Sequence, residues 1–276
     1  MKPCAFDYVR ADRVQDIFDA FGHYGAEARI LAGGQSLMAM VNYRLARPKA
    51  LVDISRCAEL DYMHVRDGHL VVGAAVTQAR VQQREALARE VPLLHLAFPY
   101  ISHFQIRSRG TVCGSIAHAD PSAELPLCLA ALQGSVVLRS KSGRRTLAAD
   151  AFFTGMLMTA IEDGEFIEEV RFPLAAEGQR YRFDEVALRR GDFAIVSLAV
   201  VASASDVALT IGGVADRPVT RRWPRSVAGD LPAALAAFAW DLQAQSDPHV
   251  SAAYRRHLVR TLGQRLITEV LDETVS

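Results

Sequence analysis

The chain has 276 residues, 31 basic against 31 acidic side chains, 50% hydrophobic and 22% charged residues. That length suffices for one large domain or two to three small ones, and the composition excludes a disordered chain. Zero net charge excludes a general electrostatic grip on nucleic acid or on an anionic membrane.

Apolar stretches such as 197–204 fall short of the roughly 18 residues that a membrane span needs. Lys2 is followed by Asp7, Arg10, Asp12 and Arg13 rather than by the apolar run of a secretory signal, so the expectation is a cytoplasmic chain without membrane insertion. Cys4, Cys57, Cys113 and Cys128 have neither C-x-x-C nor zinc or iron–sulfur spacing. No metal site of its own is expected.

Val14, Ile17, Phe18 and Phe21 form a helical stripe that ends at Gly22 and Gly25. A short strand at 28–31, a tight loop at 32–36, a helix from Ser36 to Leu45 and a strand at 51–54 complete a βαβ-like opening. His69 to Ala74 reads as a strand, Thr77 as the N-cap of a helix through Val81 and Leu87, and 92–101 as a buried helix. Asp120-Pro121 has the form of an N-cap followed by an N1 proline, predicting a helix from there toward Gly134. Lys141-Ser142-Gly143 marks a hairpin between 135–139 and 144–147. Past a linker at 175–178, 181–188 and 207–212 read as strands, and 194–202 as a strand or a helix. Two helices close the chain, one from Asp230 to Gln243 and one from Asp247-Pro248 to about Leu271. The fold class is α+β.

Two segments carry candidate chemistry. Ala32-Gly33-Gly34-Gln35-Ser36 joins a strand to a helix, and its glycines let a ligand approach backbone N–H groups. It is either an anion nest or a plain tight turn, and is neither a Walker A loop nor G-x-G-x-x-G. The second, Gly110-Thr111-Val112-Cys113-Gly114-Ser115, reads as a hydroxyl-rich loop, followed by His118, Asp120 and Glu124. Together they suit a dinucleotide clamped at its pyrophosphate, with sugar or ribityl hydroxyls nearby. His118 either bonds a phosphate or a ring edge of the ligand, or is a structural histidine. No hydrolytic motif is present.

These segments, continued as Ile106 to Glu124, Phe152-Phe153-x-Gly155, Glu165-Phe166-Ile167 and Arg189-Arg190-Gly191-Asp192-Phe193-Ala194, resemble the FAD-binding medium subunits of the molybdenum hydroxylases. That family includes the flavoprotein subunits of carbon monoxide and nicotine dehydrogenases and the flavin domain of xanthine dehydrogenase. The resemblance spans nearly the whole chain in order. It implies a two-lobed FAD-binding domain of vanillyl-alcohol-oxidase-like (PCMH) type, lobes 1–58 and 59–176, and a C-terminal α+β domain of CO-dehydrogenase-flavoprotein type over 177–276.

Carried over by residue, Ala32, Gly33, Gly34, Gln35, Ser36, Leu37, Thr111, Gly114 and Ser115 would wrap the FAD pyrophosphate. Glu124 would bond a polar group of the cofactor, Ile101 and Ile167 would line its rings, and Arg189 would approach from the C-terminal side. His118 and Asp120 complete the candidate set. No catalytic acid or base is implied. The implied role is an electron-transfer subunit, with molybdopterin on a large partner, a [2Fe–2S] cluster on a small one, and assembly as a dimer of heterotrimers. Two departures stand out. Cys113 replaces a usual glycine, which restricts positive φ and would set a thiol near the phosphates. Asp184 stands where some relatives carry a lysine facing the cofactor. The competing expectations are a stand-alone FAD-dependent oxidase or dehydrogenase, and a flavin-free structural subunit, to which only Cys113 points.

Overall fold

A computed structural model describes residues 2–272. The first lobe holds β1 (Asp7–Arg10), α1 (Val14–Tyr24), β2 (Ala28–Leu31), α2 (Leu37–Asn42) and β3 (Ala50–Asp53). The strands are parallel in the order β1-β3-β2, which requires helical crossovers, and α1 and α2 supply them. Val14, Ile17 and Ala20 form the buried stripe of α1, and the Asp16 carboxylate caps it by accepting the N–H groups of Asp12 and Arg13. The 32–36 loop leaves the carboxyl end of parallel strand β2, the end at which such sheets place ligands.

The second lobe begins with β4 (Met63–Arg66), β5 (His69–Gly73), α3 (Gln78–Gln82), α4 (Leu87–Glu90), α5 (Pro92–Ala97), α6 (Phe104–Arg107), α7 (Val112–His118) and α8 (Glu124–Ala131). It continues with β6 (Ser135–Ser140), β7 (Gly143–Ala148), α9 (Ala149–Phe152), the small hairpin β8 (Phe153–Gly155) and β9 (Met158–Thr159), and β10 (Phe166–Pro173). Its five-stranded sheet runs β4-β5-β10-β6-β7 and is antiparallel throughout. The central strand β10 has a bulge between Ile167 and Glu169. There two consecutive glutamates are buried: Glu168 receives Arg139 and Arg144, and Glu169 receives Tyr62, Arg66 and Arg171.

The C-terminal part is a four-stranded antiparallel meander, β11 (Arg180–Ala187), β12 (Ala194–Ala202), β13 (Asp206–Gly212) and β14 (Val219–Pro224), followed by α10 (Leu231–Asp241) and α11 (Ala252–Asp272). Every residue of β12 is buried. Ala199 and Val201 join the core of the preceding lobes, whereas Val196, Leu198 and Val200 join the core beneath α10 and α11. A strand covered on both faces reads as a continuous apolar run, which is why the sequence left strand and helix open here. The sheet thus lies between α11 and the helices α5 and α8.

Several expected boundaries move. The segment 112–118 is helix α7 rather than loop, with Thr111 as its cap accepting the Gly114 N–H. Asp120 does not start a helix: its carboxylate accepts the Ser122 N–H in a turn, and α8 begins at Glu124. Asp247 likewise closes a turn onto the N–H groups of His249 and Val250, and α11 starts at Ala252. The helix expected over 36–45 spans only Leu37–Asn42, and that over 92–101 only Pro92–Ala97. Strands β1, β4, β10 and β14 were not anticipated.

Candidate functional site

The two glycine-bearing segments meet. A β-carbon on Gly33 would lie 2.1 Å from the Arg109 carbonyl oxygen and 2.6 Å from Gly110 Cα, so the backbones are in direct contact. Gly34 has φ +73°, a left-handed turn that aims the loop back into α2. Among the described residues the N–H groups of Gly34, Gln35 and Ser36 have no protein acceptor, as a nest for an anion requires. Across from them lies the start of α7, where Val76 O takes the Val112 N–H and Thr111 takes those of Gly114 and Ser115, so that among its first amides only the Cys113 N–H has no protein acceptor. The second segment is fastened from behind: Gln78 N–H donates to Gly110 O at 2.8 Å, and Thr77 bridges Thr111.

A cleft of about 870 Å³ opens over this junction. Ala32, Gly33, Gly34, Gln35, Ser36, Leu37, Ile101, Thr111, Gly114, Ser115, His118, Asp120, Glu124 and Ile167 all line it. Arg189 does not; its loop instead contributes Gly191, Asp192 and Phe193. Gly191 sits so close to His103 that a β-carbon would come within 2.8 Å of the imidazole, which brings the C-terminal meander to the mouth of the cleft. Arg107 holds the strap carrying Ile101 by donating to the carbonyls of Ile101 and Ser102 at 2.5 and 2.9 Å.

Glu124 is 9% exposed at the start of α8. Burial, with Asp120 adding to it and Arg107 opposing, pushes its carboxyl up to about 7. The two departures resolve differently from expectation. Cys113 lies inside α7, and its Sγ donates away from the anion nest to the Val72 carbonyl at 3.4 Å, so the position needs no positive φ. Burial pushes this thiol up, keeping it protonated. Asp184 faces α11 and pairs with Arg265, with Tyr100 donating to its other oxygen at 3.3 Å. Strand alternation instead turns its neighbour Glu185 toward Glu124; burial and that second carboxylate push Glu185 up to about 8. Glu185 and the buried cleft residue Gln78 escaped the sequence reading, because neither lies in a motif.

Residues 4–175 match the family described as "FAD binding domain in molybdopterin dehydrogenase", and 181–270 match "CO dehydrogenase flavoprotein C-terminal domain". The chain belongs to the FAD-binding medium subunits of the molybdenum hydroxylases. Similar members of the family include caffeine dehydrogenase subunit beta of Pseudomonas sp. strain CBB1, 33% identical over 100% of this chain and 98% of the relative. The nicotine 6-hydroxylase medium subunit of Paenarthrobacter nicotinovorans is 35% identical over 98% of each chain. A crystal structure of quinoline 2-oxidoreductase from Pseudomonas putida 86 superposes with TM-score 0.88 at 31% identity, covering 100% of both chains. This medium subunit is therefore part of an oxidoreductase, with the two-lobed flavin-binding fold and the C-terminal α+β domain that the resemblance implied. Among the described residues no helix is long and apolar enough to cross a membrane, and no cluster of side chains could hold a metal.

Proposed function

We propose that the chain is the flavoprotein relay of a three-component molybdenum hydroxylase, divided into an FAD lobe at 1–58, a second FAD lobe at 59–176 and a C-terminal domain at 177–276. The observation that carries this is the contact of Gly33 with the Arg109–Gly110 backbone beneath a cleft large enough for a dinucleotide. Bound FAD would supply one-electron uptake from a [2Fe–2S] partner subunit and delivery to an external acceptor.

The chain's own residues bind and orient. The amides of 34–36, joined by the Cys113 N–H at the start of α7, hold the pyrophosphate without a cationic loop side chain. Ser36 and Ser115 offer hydroxyl donors, and the Glu124 carboxyl accepts a cofactor hydroxyl. Ile101 and Ile167 exclude water from the rings, and Phe193 stands at the cleft mouth. None of these groups serves as a substrate base, in keeping with oxidation on a molybdopterin-bearing large subunit. The relatives' names speak of subunits and medium chains, which supports assembly with large and small partners; we extend this to a dimer of heterotrimers in the cytoplasm. The inward turn of the Cys113 thiol removes the one feature that favoured a flavin-free subunit.

The test is the visible spectrum of the purified chain, followed by heat release and identification of the chromophore, and affinity purification from its native host. Stoichiometric FAD and two co-purifying chains, one with molybdopterin and one with iron–sulfur absorption, are expected. A colourless chain that FAD cannot reconstitute would remove the reading.

A further inference from the structure

Gln78 alone among the described cleft residues combines near-complete burial with an unpaired polar side-chain atom. It is 6% exposed and opens α3. Its carboxamide stands where the two loops meet. Nε2 lies 3.4 Å, and Gln35 Cγ of the first loop 3.5 Å, from the point a β-carbon on Gly110 would occupy. Oε1 is sealed from solvent and accepts no hydrogen bond. A sealed, unpaired amide oxygen is a cost that an apolar side chain of the same length would avoid. The amide nitrogen lies beside Gly110 at the loop junction, and Gln78 is part of the cleft lining.

We propose that Gln78 is a further diphosphate-binding residue, its Nε2 donating a hydrogen bond to the pyrophosphate of a dinucleotide clamped between the two loops. The assignment rests on reading the cleft as an FAD site. Neither 33–36 nor 110–115 contains a cationic residue, and Arg29, the arginine in the cleft lining, donates to the Ala26 and Ala28 carbonyls, so the nest itself offers neutral N–H donors, to which Gln78 adds one from a third element. Because its own backbone N–H fixes Gly110, the residue also ties the donor to the loop it serves. A side-chain donor on a short helix behind the junction reaches the face of the diphosphate that the loop amides leave open.

The test uses the full chain freed of cofactor, with FAD affinity read from flavin fluorescence and ADP affinity from displacement of FAD. Gln78→Met keeps the length and removes the donor. It is expected to weaken FAD and ADP by the same factor, about tenfold, because both carry the diphosphate. Gln78→Glu keeps the length and sets a negative charge against the phosphates. Its loss is expected near a hundredfold at pH 8 and to shrink toward the Met value at pH 5. The melting temperature of the cofactor-free variants separates lost binding from lost folding. A Met variant that binds FAD within twofold of the wild type overturns the assignment. So does a loss seen with FAD and not with ADP, or a Glu variant whose loss does not change with pH. A wild-type chain that binds neither FAD nor ADP overturns the FAD reading itself instead.

Discussion

Gly33 in the first loop rests on the carbonyl of Arg109 in the second, with room for a hydrogen and none for a methyl group. The colliding atoms are backbone, so no rotamer change relieves the clash. Gly33→Ala is expected to part the loops and weaken FAD at least about a hundredfold, by fluorescence titration. Gly22→Ala is the control: nothing lies within 4 Å of its β-carbon and the site is helical, so affinity should hold and stability rise by about 0.5–1 kcal/mol. Equal affinities for the two variants would show that the contact is not needed for binding.

Cys113 is predicted to be silent. Its thiol is sealed against Val72, and only Cys4 of the four cysteines is exposed. A thiol-reactive dye should label one site in the native chain and four after denaturation. Cys113→Ala should leave FAD affinity within about twofold. A gain in affinity on shortening this side chain would place the thiol beside the phosphates after all.

Glu185 makes the fold sensitive to alkali. Burial and Glu124 raise its folded value to about 8, well above that of an unfolded carboxyl. Between about pH 5 and 8 the folded chain therefore binds more protons than the unfolded one, and stability falls as pH rises. Glu185→Gln should melt several degrees above the wild type at pH 8, with the difference fading toward pH 5. A constant difference across that range would mean that Glu185 is not the titrating group. Glu124, at about 7, contributes in the same direction and remains in the variant.

Glu168 works in the opposite sense. Burial disfavours its charge, yet Arg144 and Arg139 hold the carboxyl below the ordinary range. Its stabilisation is present at neutral pH and lost as acid protonates it. Glu168→Gln should cost about 2–3 kcal/mol at pH 7, read from urea unfolding, and less at pH 3. Since the bonds pin the bulge next to Ile167, FAD affinity should also drop, by a factor of a few.

Most of the cleft was legible because its chemistry is local. A nest needs glycine and small hydroxyl residues in consecutive positions, and 32–36 and 110–115 show them directly. The helix boundaries around the second segment were not legible in the same way. Asp120-Pro121 has the form of a helix start, but the Asp120 carboxylate spends its acceptor on Ser122, and the chain turns once more before Glu124. Strand β10 follows a turn at Asp163-Gly164, but its alternation is broken at Phe166-Ile167 and Glu168-Glu169 around the bulge, and its pairing with β5 and β6 is nonlocal. For Arg189 the motif pointed to a loop that reaches the cleft through Gly191, Asp192 and Phe193 rather than through Arg189 itself.

Composition and periodicity by themselves determined an α+β chain, and the two small-residue segments pointed to two loops whose backbone a ligand could approach. Which side chains face the cleft was decided only in three dimensions. Adjacent residues on a strand point to opposite faces, so Asp184 went to Arg265 and Glu185 to Glu124, and one residue of register separates the two outcomes. The direction of the Cys113 thiol and the burial of Gln78 were set in the same way, by the packing of α7 and α3 around Gly110. Spacing along the chain carries no information about that packing.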